Sequence, residues 1–209
     1  MSNIITAGNA TNNGTSISSD TSGVLELKTG STPTTALTIS TGQVVTVVNP
    51  IQGGTITSGT AVASTSGTSI DFTGIPSWVK RITVMFNNVS TNGVSNPMVQ
   101  VGSGSIVTTG YSSSNALPNT GGTTGGNTNT TGWNVGFTNA ANNYYGTYVI
   151  TSFGSNIYIA SFNLATTSTG AAAIGGGGIA LSGALDRIRI TTVNGTDTFD
   201  AGSINILYE

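Results

Sequence analysis

Apolar and polar residues alternate along this chain in short runs, separated by Gly, Asn, Ser and Pro. Ile82, Val84 and Phe86 alternate with Arg81, Thr83 and Met85, and Ile188 and Ile190 alternate with Arg187 and Arg189. Successive side chains of a strand point to opposite faces, so a period of two predicts half-buried β-strands. Helical periodicity is scarcely detectable, and β-branched residues dominate the runs. Further strands are predicted in "MVQVG", "GTYVITSF", "NIYIASFNL" and "GSINILYE". The run from Ile157 to Leu164 reads as apolar on both faces, as expected of a central strand. About seven or eight strands with turn signals between them predict an all-β fold, a jelly-roll-like β-sandwich.

The aromatic residues divide the chain. "TSIDFTGIPSWVKRITVMF", residues 68–86, holds the first of them at Phe72, and all 14 lie from there onward. Upstream, "SGVLELKTG", "TALTI", "GQVVTVVNP" and "GGTITSGTAVAS" are strand-like but offer no bulky anchor. At about 25 cal/mol per Å² such a sheet buries too little to offset an ordering cost of about 1–2 kcal/mol per residue. It needs partners. We therefore expect residues 1–67 to be a short, extended or intertwined attachment and trimerisation region, and 68–209 to be the C-terminal β-sandwich. In a homotrimer, Val24, Leu25, Leu27, Leu37, Ile39, Val45 and Val47 would form a shared interior and neighbouring copies would cover the strand edges. The alternative is docking onto a larger particle surface, which is compatible with trimerisation.

Composition narrows the classes of function. Only 6% of residues are charged, against about 25% in average proteins, so solubility rests on hydroxyls and amides. The hydrophobic share is 36% and the net charge −2, which is not the signature of disorder. Cys and His are absent, removing disulfides and thiolate or imidazole metal ligands. Five scattered cations give no basic stripe for nucleic acid. The opening "MSNIITAGNATNNG" lacks the pattern of a secretory signal. "GAAAIGGGGIALSGAL", residues 170–185, is too short and Gly-rich to span a membrane, and reads as a mobile turn or a tightly packed contact.

Few groups could carry chemistry. A glycosidase or depolymerase needs two carboxylates about 5–9.5 Å apart across a groove, and the one local grouping is Asp197 and Asp200 in "NGTDTFDAG". Turn-forming Asp residues that bond nearby amides explain it better, and calcium-loop spacing is missing. Ser and Thr lack an activating His or a Ser-x-x-Lys arrangement. "GGGGIA" lacks the βαβ setting that gives a dinucleotide fingerprint its meaning. Arg187 and Arg189 could rim an anion site, but cross-strand pairing that keeps the strand soluble is the favoured reading.

The most suggestive stretch is residues 110–146, rich in Gly, Asn, Ser and Thr and carrying Tyr111, Trp133, Phe137, Tyr144 and Tyr145. Rigid aromatics among small polar groups suit a binding surface. Aromatic faces beside amides also suit sugars. The competing reading makes these rings the lid of the core, although structureless loops longer than about 12–15 residues are usually functional or disordered.

"IDFTGIPSWVKRITVMFNNVSTNG" and "RIRITTVNGTDTFDAGSINILYE" resemble segments of virion structural proteins of tailed bacteriophages, of the tail-fibre-like class. "ITAGNATNNGTSISSDTSGVLELKTGSTPTTALTISTGQVVTV" is similar to attachment or shaft segments of the same class. The resemblance implies a projecting, homotrimeric virion component with no cofactor and no catalytic residues. Its expected partners are other virion proteins, through the N-terminal region, and a host-surface glycan or protein. A capsid decoration or head-fibre protein that stabilises the shell is the alternative.

Overall fold

The computed structural model describes residues 56–209, except 119–120, 123, 137–139, 141 and 168–169, together with the strand backbone of 25–29, 34–39 and 45–47; Thr124 is described by its backbone alone. The chain divides into two compact units, Met1–Thr55 and Ile56–Glu209. Regular structure among the described residues is all β, with no helix.

In the first unit, β1 (Leu25–Thr29), β2 (Thr34–Ile39) and β3 (Val45–Val47) form an antiparallel sheet in that order. Its register aligns Leu25 with Ile39 and Ile39 with Val45, and Leu27 with Leu37 and Leu37 with Val47. Strand alternation puts these six positions on one face of the pleat. Val24 lies outside the described residues.

The second unit begins with β4 (Thr57–Ser58), β5 (Val62–Ala63), β6 (Ser69–Thr73), β7 (Arg81–Thr91), β8 (Pro97–Ser103) and β9 (Ser105–Ile106). Through the aromatic stretch run β10 (Ser112–Pro118), β11 (Thr124–Gly125), β12 (Thr128–Asn129) and β13 (Trp133–Asn134). Four long strands and one shorter one complete it: β14 (Tyr144–Gly154), β15 (Ile157–Thr166), β16 (Ala171–Ala180), β17 (Arg187–Thr192) and β18 (Phe199–Tyr208). One sheet has the order β11-β10-β16-β15-β14-β7-β18-β4, with β12 on β10 and β5 on β18; the other is β13-β8-β17-β6, with β9 on β8. Residues 56–67, which the sequence groups with the N-terminal region, run beside β18, where Gly59 N–H donates to Ile206 O (2.8 Å) and Ser64 N–H to Gly202 O (2.9 Å).

The antiparallel partners are nested: β14 with β15, β10 with β16, β8 with β17 and β7 with β18. At the centre of the nest, Ser155 (φ 50°) and Asn156 (φ 60°) form the two-residue turn between β14 and β15. Two consecutive left-handed residues give the turn a twist that matches that of the flanking strands.

The expected alternation holds in β7 and β17. Ile82, Val84 and Phe86 are buried, as are Ile188 and Ile190, while their neighbours Arg81 and Arg187 are not. The expected central place of Ile157–Leu164 holds, without burial on both faces. β15 is central within its sheet, yet only Tyr158, Ala160, Phe162 and Leu164 are buried, and Ile159 is 47% exposed. The large sheet has the core on one face only, so a central place in the hydrogen-bond ladder does not bring burial on both sides.

The glycine run settles as a tight contact. Gly175–Gly178 lie within β16, between β10 and β15. A Cβ on Gly177 would stand 1.9 Å from Ser112 O, closer than any atom pair tolerates, so the β10–β16 ladder depends on hydrogen at that position.

Candidate functional site

The aromatic stretch 110–146 is folded into both sheets, and packing decides which rings remain outside. Tyr111 is 3% exposed; its hydroxyl accepts the Val101 N–H (2.7 Å) and lies 3.1 Å from the Val107 carbonyl oxygen, to which it can donate. Trp133 is fully buried and meets the Tyr111 ring edge-on at 5.3 Å and 89°. Tyr144 is also buried and hydrogen-bonds the Asn142 side chain. Behind them Tyr148, which lies just beyond the stretch and was not singled out in the sequence, stacks on Phe162 at 4.4 Å and donates its hydroxyl proton to Trp133 O (3.2 Å). Phe137 lies outside the described residues. Of the aromatics read as contact candidates, three therefore belong to the interior, and Tyr145, 38% exposed, reaches the surface.

Burial pushes the phenols of Tyr111 and Tyr144 up to about 12 from their ordinary 10.0, and raises Tyr148 well above that ordinary value. A group whose folded value is raised stabilises the fold fully below the unfolded value and loses that contribution as pH climbs through the folded one. Stability is thus expected to fall between pH of about 10 and about 12. Tyrosinate absorbance in an alkaline titration should show these three rings ionising only as the protein unfolds. Free titration of Tyr111, Tyr144 and Tyr148 near their ordinary value, with the fold intact, would contradict their burial.

Tyr145 has a distinct environment. Its hydroxyl donates to Asn88 Oδ1 (2.7 Å), which also accepts Asn143 Nδ2–H (2.9 Å). Asn88 has a φ of 58° and marks a bulge in β7. Between the Val89–Tyr144 and Phe86–Gly146 pairs, β7 advances by one residue more than β14; between Ser90–Ala201 and Asn87–Ser203 it does the same against β18. Sequence reasoning missed Asn88 and Asn143, because a bulge is specified by register across three strands and leaves no local signature.

Most charged groups of the second unit are engaged with one another, with backbone or with neutral side chains. Arg189 makes two contacts with Asp71 (2.8 and 2.7 Å), its directly opposite neighbour on β6, the expected cross-strand pair. Arg187 grips Asp186 (2.7 and 3.1 Å) and holds its carboxyl below the usual range, helped by the Gly104 N–H. Arg81 pairs with Glu209 at 3.1 Å. Asp197 Oδ2 accepts the Ser95 N–H (2.8 Å) and its Oδ1 accepts Asn194 Nδ2–H (2.6 Å), tying together the loops before β8 and β18. Asp200 accepts the Ser90 hydroxyl. The Asn194 bond is local, but Ser95 and Ser90 lie on distant segments, so these carboxylates join separate parts of the chain instead of bonding nearby backbone amides. Among the described residues no three acidic side chains come together.

Two surface hollows accompany the large sheet. One, of about 270 Å³, is lined by Ile56, Arg81, Thr83, Leu207, Tyr208 and Glu209. The other, a shallow depression of about 500 Å³, lies over Ser114–Ala116 and Ile174–Gly177. No protein-family model, curated protein or solved structure matches the chain.

Proposed function

We propose that this chain is a non-enzymatic, fibre-like virion protein that projects from a phage particle and binds the host cell surface. The observation that carries the reading is the outer face of the large sheet at Tyr145: an exposed aromatic among amides, on a unit whose charged groups are largely tied up in pairs. The N-terminal region anchors the chain to other virion proteins and trimerises it. A three-stranded sheet with one apolar face needs a second layer, and three wound copies would supply it at Leu25, Leu27, Leu37, Ile39, Val45 and Val47. The nested strand pairing supports a jelly-roll relative in which the β14–β15 hairpin joins the large sheet. Multivalent display lets weak single contacts add up through high effective concentration.

A second reading is capsid decoration, in which the chain clamps and stabilises the shell. The burial of Tyr111, Trp133 and Tyr144 favours it, because it removes most of the rings that would have made the 110–146 stretch a gripping loop. Immunogold electron microscopy of purified particles, with antibody against the Ile56–Glu209 unit, separates the two. Label at the tail is expected; label scattered over the head would replace host attachment with decoration.

A further inference from the structure

We propose that the Asn88 bulge on the outer face of the large sheet is a binding site for a neutral, hydroxyl-rich saccharide, held by Tyr145, Asn88 and Asn143. This deepens the attachment reading above and rests on it for biological meaning, but the site stands on its own geometry.

Three departures from regular backbone converge here. β7 carries one residue more than either neighbour, Asn88 is left-handed, and Gly202 on the adjoining strand has a φ of 89°. A Cβ at Gly202 would come within 2.3 Å of Asn88 O, so glycine permits the approach. Bulges re-aim side chains and recur beside functional sites. This one brings Asn88 Oδ1 to the Tyr145 hydroxyl and to Asn143 Nδ2.

With two donors on Oδ1, the orientation of the Asn88 amide is fixed. That leaves the Nδ2 hydrogens of an exposed residue as donors, and the Asn143 Oδ1 and Tyr145 hydroxyl oxygen as acceptors. Donors and acceptors beside an accessible ring face complement a sugar, whose hydroxyls do both and whose C–H face packs on an aromatic. The flanking positions in the register are Asn87, Ser203, Thr147, Asn163 and Ala165, all uncharged. Asp200, skipped between the Phe199–Thr91 and Ala201–Ser90 pairs on the adjoining strand, accepts the Ser90 hydroxyl, and its negative charge disfavours an acidic sugar. The chemistry therefore selects a neutral saccharide.

The test uses the full chain and calorimetric titration with dextran, mannan and galactan as neutral probes, and polygalacturonate and sialyllactose as acidic ones. At least one neutral probe should bind in preference to both acidic ones. Tyr145→Ala, which removes the ring, should weaken binding by roughly tenfold or more. Asn88→Gly keeps the left-handed backbone and Tyr145→Phe keeps the ring, so each should leave the unfolding midpoint close to that of the wild type while weakening binding by a few-fold. No binding to any neutral probe, preference for an acidic one, or full binding by both Tyr145→Ala and Asn88→Gly overturns the site. Tail label without saccharide binding removes the site and leaves attachment; saccharide binding with head label does the reverse.

Discussion

Replacing Trp133 with Ala is expected to destabilise the Ile56–Glu209 unit by about 3–5 kcal/mol, the range for deleting a large buried aromatic. Trp133 is fully buried, packs edge-on against Tyr111, and its backbone oxygen receives the Tyr148 hydroxyl. The deletion would open a void between the two sheets where the small sheet ends, and close packing limits how far the neighbours can collapse into it. Denaturant unfolding checks this: the midpoint should fall while the slope stays constant, the sign of lost stability without a change in the surface exposed. The indole Nε1 is buried without a hydrogen-bond partner among the described residues, which subtracts from what the ring contributes and places the expectation toward the lower end. A loss below about 1 kcal/mol, with host binding reduced, would return Trp133 to the surface-binding role its sequence context suggests.

Gly177→Ala is the second large effect, expected to cost about 1–3 kcal/mol or more through overpacking against backbone that cannot move aside cheaply. The added methyl would meet Ser112 O at 1.9 Å, so β10 must separate from β16. Gly178→Ala is the control. Its Cβ would find Tyr158 O at 3.6 Å, an ordinary contact, and a glycine replaced without strain tends to stabilise slightly by narrowing the unfolded ensemble. The two variants should therefore differ in unfolding midpoint, and amide exchange along Ser112–Ala116 should accelerate in Gly177→Ala alone. Equal midpoints would mean that the glycine run is there for some reason other than close strand approach.

The glycine run shows how far local reading goes. Its composition leaves a mobile turn and a tight contact equally open, since both use glycine. Only the positions of Ser112 and Phe162, far away in sequence, choose between them. The aromatic stretch behaves in the same way. Trp133 and Tyr145 sit in similar Gly/Asn/Thr-rich surroundings, yet one is sealed between the sheets and the other lies outside. β14 places Tyr144 and Tyr145 on opposite faces, as alternation requires; which face meets the core is set by the register with Val89.

What the sequence by itself determined is the set of properties that depend on neighbours a few residues apart. The period of two in Arg81–Phe86 and Arg187–Ile190 yields the strands and their buried positions. Tertiary structure alone decided that β15 is covered on one face, that three aromatics of the 110–146 stretch are interior, and that Asn88, Tyr145 and Asn143 meet. The physical reason is that strand direction and turn geometry are backbone properties encoded locally. Burial and site geometry depend on which distant segment packs across the sandwich, and on bulges whose position exists only relative to the neighbouring strands.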